Sequence, residues 1–251
     1  MTDYLMVHGA GQGAWSWGKV WGYMTAPVEH PPRLYAYRPA DKVFSLDLPG
    51  HGADAEGDTA AVLMEECVQS IVRAVERQGL RDVVLVGHGF AGSLILQAAA
   101  QLPTPPKRVV LIAGILPPAG KSMASELPFV FRRGFQGISN LKGLLGRDLS
   151  VPRGVIGRYL CNGIDPMALV QVIGYFGPLP VKVLKAKTPD DLECPCPVTY
   201  VVLTEDRMLS PDAQRRMARR IPDVEVLELE SCHQATLYKP KELSEMLLAY
   251  A

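Results

Sequence analysis

The sequence has no net charge: 26 lysines and arginines offset 26 aspartates and glutamates across 251 residues. A chain without an excess of one sign lacks the field that gathers nucleic acid or an anionic membrane surface, so neither is expected as a partner. It also lacks any apolar run long enough to cross a bilayer, and Met1-Thr2-Asp3 leads straight into a strand with no charged leader. The cytoplasm is therefore the default compartment. Cysteine is scarce and odd in number, five in all, with Cys194 and Cys196 in a Cys-Pro-Cys run. No second pair and no histidine cluster stands at zinc-ligand spacing, so no metal site is expected; the absence of disulfide-like spacing points to a reducing compartment. There is no dinucleotide fingerprint in a βαβ context and no phosphate loop, hence no cofactor is expected. Internal repeats and low-complexity tracts are missing too.

What is present is apolar bulk, 48% of the chain, enough for the core of one large α/β domain. Tyr4 to Val7 is a short apolar run that stops at His8-Gly9, the pattern of a buried parallel strand ending in a loop, with helix from about Ala14. Val43 to Asp47 gives a second strand, and the turn-rich Leu48-Pro49-Gly50-His51-Gly52 follows it. Between them Ala26 to Lys42 carries Pro27, Pro31, Pro32 and Pro39, a long irregular connection and a candidate insertion near a site. Apolar residues recur at helical spacing from Thr59 to Gln78, and Gly79 is placed to end that helix. Val83 to Val86 is the third strand, Leu94 to Ala100 a buried helix, and Arg108 to Ala113 the fourth strand. The rhythm returns with a strand at Val198 to Leu203, a helix at Pro211 to Ile221, a strand at Val224 to Leu229 and a last helix from about Pro240. Such alternation means a mostly parallel sheet of about six strands with helices on both faces. Residues 117–195 break it with glycine-rich sequence and no core strand. They are expected to be a mainly helical cap on a core formed by 1–116 and 196–251.

In an open parallel sheet, ligands bind outside the carboxyl ends of the strands, so residues just past strand ends are the candidates for chemistry. Four segments qualify. His8-Gly9-Ala10-Gly11-Gln12-Gly13 follows the first strand, and its glycines let backbone N–H groups face a ligand; alone it reads more readily as a tight strand-to-helix turn, because short Gly-rich matches are weak. Val86-Gly87-His88-Gly89-Phe90-Ala91-Gly92 has the frame of a nucleophile elbow, with glycine where the attacking side chain belongs. Asp206 follows a late strand, placed to orient an imidazole, and His233 follows the last strand. Elbow, acid and histidine come in the order that α/β hydrolases use. The other histidines have plainer readings: His8 and His88 adjoin backbone turns and serve packing or hydrogen bonding, and His51 sits in a loop where a structural hydrogen bond is expected. Ser93 lies a helical turn past the elbow and points away from the donors. Cys232 has nothing basic beside it to lower its pKa.

These segments resemble the α/β-hydrolase superfamily, and within it the branch of plant methylesterases and hydroxynitrile lyases. The match is carried by His-Gly-Ala-x-x-Gly-Ala-Trp-x-Trp at 8–17, Gly-His-x-Phe-x-Gly at 87–92 and Cys-His-x-x-x-Leu-x-Lys-Pro at 232–240, and it spans nearly the whole chain. It implies the Ala10 and Phe90 backbone N–H groups as an oxyanion hole, Asp206 as the acid, His233 as the base and Gly89 at the nucleophile position. Three departures stand out: no Oγ at residue 89, Cys232 in place of the usual glycine, and a longer Pro-rich insertion at 26–42.

An acyl-enzyme needs a nucleophilic side chain, and losing it from a triad removes about a millionfold in turnover. Three functions stay open. In the first, an enzyme uses His233 and Asp206 for base-catalysed elimination, C–C cleavage, cyclisation or direct water attack on a small, largely apolar carbonyl or ester. In the second, a serine hydrolase has had residue 89 replaced by glycine to trap a ligand. In the third, the fold binds a ligand without converting it. Phe129, Phe131, Phe135, Tyr159, Tyr175 and Phe176 give the cap an apolar wall; of these Phe129, Phe131, Tyr159 and Phe176, with Trp15, are expected to meet a small-molecule substrate. Basic residues of the cap, Arg132, Arg133, Arg147, Arg153 and Arg158, are candidates for a substrate carboxylate, with solvated surface the commoner fate of each. The oligomeric state is open between monomer and homodimer.

Overall fold

A computed structural model describes residues 2–25, 42–54, 58–129, 131–135, 137, 149–189 and 193–251. The Pro-rich connection expected at 26–42 and Arg147 of the expected cap lie outside the described residues, apart from Lys42. Six strands form one sheet in the order β2-β1-β3-β4-β5-β6: β1 Tyr4–Val7, β2 Val43–Leu46, β3 Val84–His88, β4 Arg108–Ile112, β5 Val198–Leu203 and β6 Glu225–Leu229. Every pairing is parallel.

The inner strands β1, β3, β4 and β5 are buried almost throughout because both of their faces are covered, whereas β6, at the edge, exposes Glu225, Val226 and Glu228. Leu5, Val7, Leu85, Val109, Leu111, Tyr200 and Val202 pack on one face, where helices α2 (Met64–Arg77) and α3 (Ala91–Gln101) lie against each other. Their alternates Tyr4, Met6, Val84, Val86, Val110, Ile112 and Val201 pack on the other, under α1 (Gly18–Thr25) and the carboxyl-terminal helix Pro240–Leu248. A period of two thus divides each inner strand between two cores.

Most elements stand where the sequence puts them, and the start of α2 is the clearest difference. Helical spacing begins at Thr59, yet the helix begins at Met64. Thr59 spends its hydroxyl on the Gly50 carbonyl at 2.6 Å, and the Asp58 carboxylate accepts from the N–H groups of Ala60 and Ala61, which hold a turn instead. The helix proper starts where Glu66 reaches back to the Leu63 N–H at 2.7 Å.

Chain order reverses beside β1: β2 lies on one side of it and β3 on the other. A sheet opens a crevice at such a point, at the strands' carboxyl ends. Between β4 and β5, the described residues add no strand to this sheet; they form short helical pieces and α4 (Pro166–Tyr175). Ile156, Leu160, Cys161 and Val172 make a small core of their own there, packed against Trp15, Phe176 and Met208.

Candidate active site

The turn after β3 sets the geometry. Gly89 has φ +51°, the left-handed region that side chains resist, and its backbone is tied on both sides: its N–H donates to the Ile112 carbonyl at 2.9 Å and its carbonyl accepts from Ile115 at 2.7 Å. The helix after the turn rests close on the sheet because residue 92 is glycine; a Cβ there would come within 2.8 Å of Gly114 Cα. Chain direction is therefore fixed at residue 89, which faces the loop after β6. An ideal Cβ on Gly89 would lie 3.3 Å from His233 Nε2 and 3.6 Å from its Cε1.

His233 is held in one orientation. Its Nδ1 lies 2.7 Å from Asp206 Oδ2, so the neutral ring carries its proton on Nδ1 and keeps the Nε2 lone pair toward residue 89. Asp206, with its side chain fully buried, accepts from three further donors: the N–H groups of Met208 and Leu209 on Oδ1 at 2.7 and 2.9 Å, and Gln214 Nε2 on Oδ2 at 3.0 Å. Gln214, on helix α5 (Pro211–Ala218), also bonds the backbone of Leu203 and Leu209, which ties the carboxylate to the end of β5.

Below His233 lies a layer of neutral histidines. His88 is 4.8 Å from it, ring centre to ring centre, and donates from Nε2 to the His233 carbonyl at 2.8 Å. Burial, reinforced by repulsion from His233, pushes the His88 pKa down to about 3. Burial and His51 do the same to His8, again to about 3, and its Nε2 accepts from the Leu48 N–H at 3.1 Å. His51 donates from Nδ1 to the Pro49 carbonyl, the structural bond expected of it.

A cavity of about 100 Å³ opens at this point, and its lining brings Ala10, Phe90, His88 and His233 together. No described residue accepts from the backbone N–H of Ala10 or Phe90. The wall is apolar, from Ile115, Leu127, Phe135, Leu160, Phe176 and Met208 among others. Of the expected substrate contacts, Phe176 lines the cavity. Trp15 stands behind Phe176, 6.5 Å from it between ring centres, and borders a neighbouring cavity of about 250 Å³. Phe129, Phe131 and Tyr159 do not line it: Phe129 is 61% exposed, with Arg132 and Arg133 over its ring, and Phe131 packs edge-on against Tyr159. Phe135 and Leu127 line it instead. Gln12 and Gln234 were missed. Gln12 Nε2 donates to Gln234 Oε1 at 2.6 Å while Gln12 Oε1 accepts the Gly9 N–H, which joins the loop after β1 to the loop of His233. Nothing in their spacing gives this away.

Ser93 and Cys232 stay out of the chemistry. Ser93 is fully buried, bonded to Gln97, and faces a different cavity. Burial pushes the Cys232 thiol up to about 11.

A model of the "Alpha/beta hydrolase family" matches residues 4–246. Methylesterase 9 of Arabidopsis thaliana is 27% identical over 270 residues, covering 100% of this chain and 98% of its own. A carbendazim hydrolyzing esterase of a Nocardioides strain is 26% identical over 129 residues, 51% of this chain and 48% of its own. Among solved structures, an extracellular alpha/beta-hydrolase from a Paenibacillus species superposes with a TM-score of 0.81 at 21% identity, covering 100% and 99% of the two chains. Polyneuridine aldehyde esterase does so with a TM-score of 0.73 at 17% identity, covering 99% and 98%.

Proposed function

Because this chain belongs to the alpha/beta hydrolase family, on the branch that holds the plant methylesterases, we propose that it acts as a general-base enzyme on a small, largely apolar ester or carbonyl compound. The reading is carried by one observation: an Asp-held imidazole presents Nε2 to the space where a nucleophile's Cβ would stand, 3.3 Å away. A serine family member would acylate there. Here a water, or a hydroxyl of the substrate itself, takes that space and gives its proton to His233. The developing oxyanion meets the N–H groups of Ala10 and Phe90, and a donor of this kind is worth about 10²–10³-fold in kcat. The histidine then returns its proton to the leaving group.

Hydrolysis by an activated water is the form that likeness to esterases supports. The same base, oxyanion donors and dry apolar wall would serve elimination, C–C cleavage or cyclisation of a substrate with an acidic C–H. The cap residues Leu127, Phe135 and Phe176 would select a compact acyl or carbonyl group.

Short-chain methyl and p-nitrophenyl esters test the reading by pre-steady-state kinetics. The protein is expected to turn them over without a burst, His233→Ala to lose the activity, and Gly89→Ser to show a burst stoichiometric with protein as an acyl-enzyme forms. Equal rates for the protein and His233→Ala would overturn it.

A further inference from the structure

A cavity larger than the one at the dyad lies away from His233. It is a groove of about 1080 Å³ between α3, the chain after β4 and the end of α5, and it shares no lining residue with the cavity at the dyad. At its wall stand Cys194 and Cys196. The chain bends at Pro195 and Cys196, and Pro195 restricts the backbone between the two thiols. Their sulfurs are 3.6 Å apart, within hydrogen-bonding reach, and both residues are partly exposed. The segment is anchored where β5 begins, through the Val109 N–H on the Pro197 carbonyl at 3.0 Å. Thr188, whose hydroxyl has no partner among the described residues, lines the same groove.

We propose that Cys194 and Cys196 form a dithiol site that exchanges with small-molecule disulfides entering this groove, Cys194 attacking and Cys196 resolving. In the first step the Cys194 thiolate bonds to one sulfur of the disulfide, whose S–S bond breaks; the other half leaves as a thiolate and takes a proton from solvent. In the second, Cys196 gives its proton to solvent and attacks Cys194 Sγ, expelling the remaining half as a thiol. Two protein thiols are oxidised to one disulfide while the small disulfide is reduced to two thiols. Either sulfur can donate in the hydrogen bond between them; with Cys196 donating, the Cys194 thiol is held down to about 7, close to the optimum for an attacking thiol, and the attack is assigned to Cys194 on that arrangement. The other cysteines are closed to this chemistry. Cys67, Cys161 and Cys232 are buried, and burial raises each, to about 12, 12 and 11.

Intact-mass and peptide mapping after exposure to glutathione disulfide test the site. The unaltered chain is expected to lose one hydrogen pair, mapped to a Cys194–Cys196 link, with no lasting adduct and full recovery by dithiothreitol. Cys196→Ser is expected to hold one glutathione on Cys194, and Cys194→Ser to react at least tenfold more slowly, a difference that a spectator cysteine would not produce. The rate of the first step should rise to half its limit near pH 7. A lasting adduct on the unaltered chain, reaction mapped to the buried cysteines, or equal rates for the unaltered chain and Cys194→Ser would each overturn the proposal. None of these readouts depends on ester turnover.

Discussion

His233 and the histidines beneath it share one edge of the sheet yet have opposite chemistry. His88 lies 4.8 Å from His233 between ring centres, but it is buried on every side and committed to a backbone carbonyl, and burial pushes its pKa down to about 3. His233 has the same ring with one nitrogen spent on Asp206 and the other left toward the cavity. Residue type does not distinguish a base from a brace; access of one nitrogen and a carboxylate on the other do. The layer below also supports the layer above, because His88 bonds the carbonyl of His233, the proposed base.

The largest effect that would sharpen this contrast comes from the hydrogen-bonded pair of Asp206 and His233. Asp206→Asn keeps the shape but offers Nδ1 of His233 an amide that can donate, so the ring can settle in the wrong tautomer. A positioned general base is worth about 10²–10⁴-fold, and Asp206→Asn is expected to lose most of that in kcat/KM, nearly matching His233→Ala. The same pair of assays on His88→Gln should change the rate far less. If His88→Gln were as damaging as Asp206→Asn, the division between base and brace would fail.

A second effect belongs to the closed layer and reads on stability. His8 and His88 ordinarily titrate at 6.5 and are pushed to about 3 in the folded chain, first by burial and then by neighbouring histidines. The unfolded chain therefore binds protons below about 6.5 that the folded chain refuses until about 3, so stability is full above 6.5 and falls as pH drops through that window. Denaturant midpoints between pH 7 and pH 4 should show the fall, and His88→Gln should make it shallower. An unchanged slope in that variant would show that His88 does not carry the effect.

The strands, their parallel order and the dyad were legible in the sequence because each rests on a local pattern: apolar runs that stop at glycine, and polar residues just past them. Asp206 and His233 are far apart in sequence, and the strand ends on which they sit bring them within 2.7 Å. Where side-chain chemistry overrode propensity the reading slipped, as at Thr59, whose hydroxyl serves a turn. It slipped further between β4 and β5, because whether Phe129 or Phe135 faces inward depends on how short helices pack across the chain. Gln12 and Gln234 are legible only in three dimensions.

The smallest effect concerns glycine itself, and it divides the two kinds that the chain contains. Gly18 opens α1 at φ −53° with open space around its missing Cβ, so Gly18→Ala restricts the unfolded chain without straining the folded one and should stabilise by about 0.4–1 kcal/mol. Gly89 sits at φ +51°, where an L-residue costs about 1–2 kcal/mol, and a Cβ there also meets His233 at 3.3 Å. Gly89→Ser should therefore lower stability by about that amount while adding the acyl-enzyme burst, a gain in chemistry set against a loss in stability. Chemical denaturation of Gly18→Ala, Gly89→Ala and Gly89→Ser measures all three terms. Equal stability of Gly89→Ala and the unaltered chain would mean that the turn relaxes to meet a side chain, and the fixed direction from residue 89 to His233 would then have to be given up.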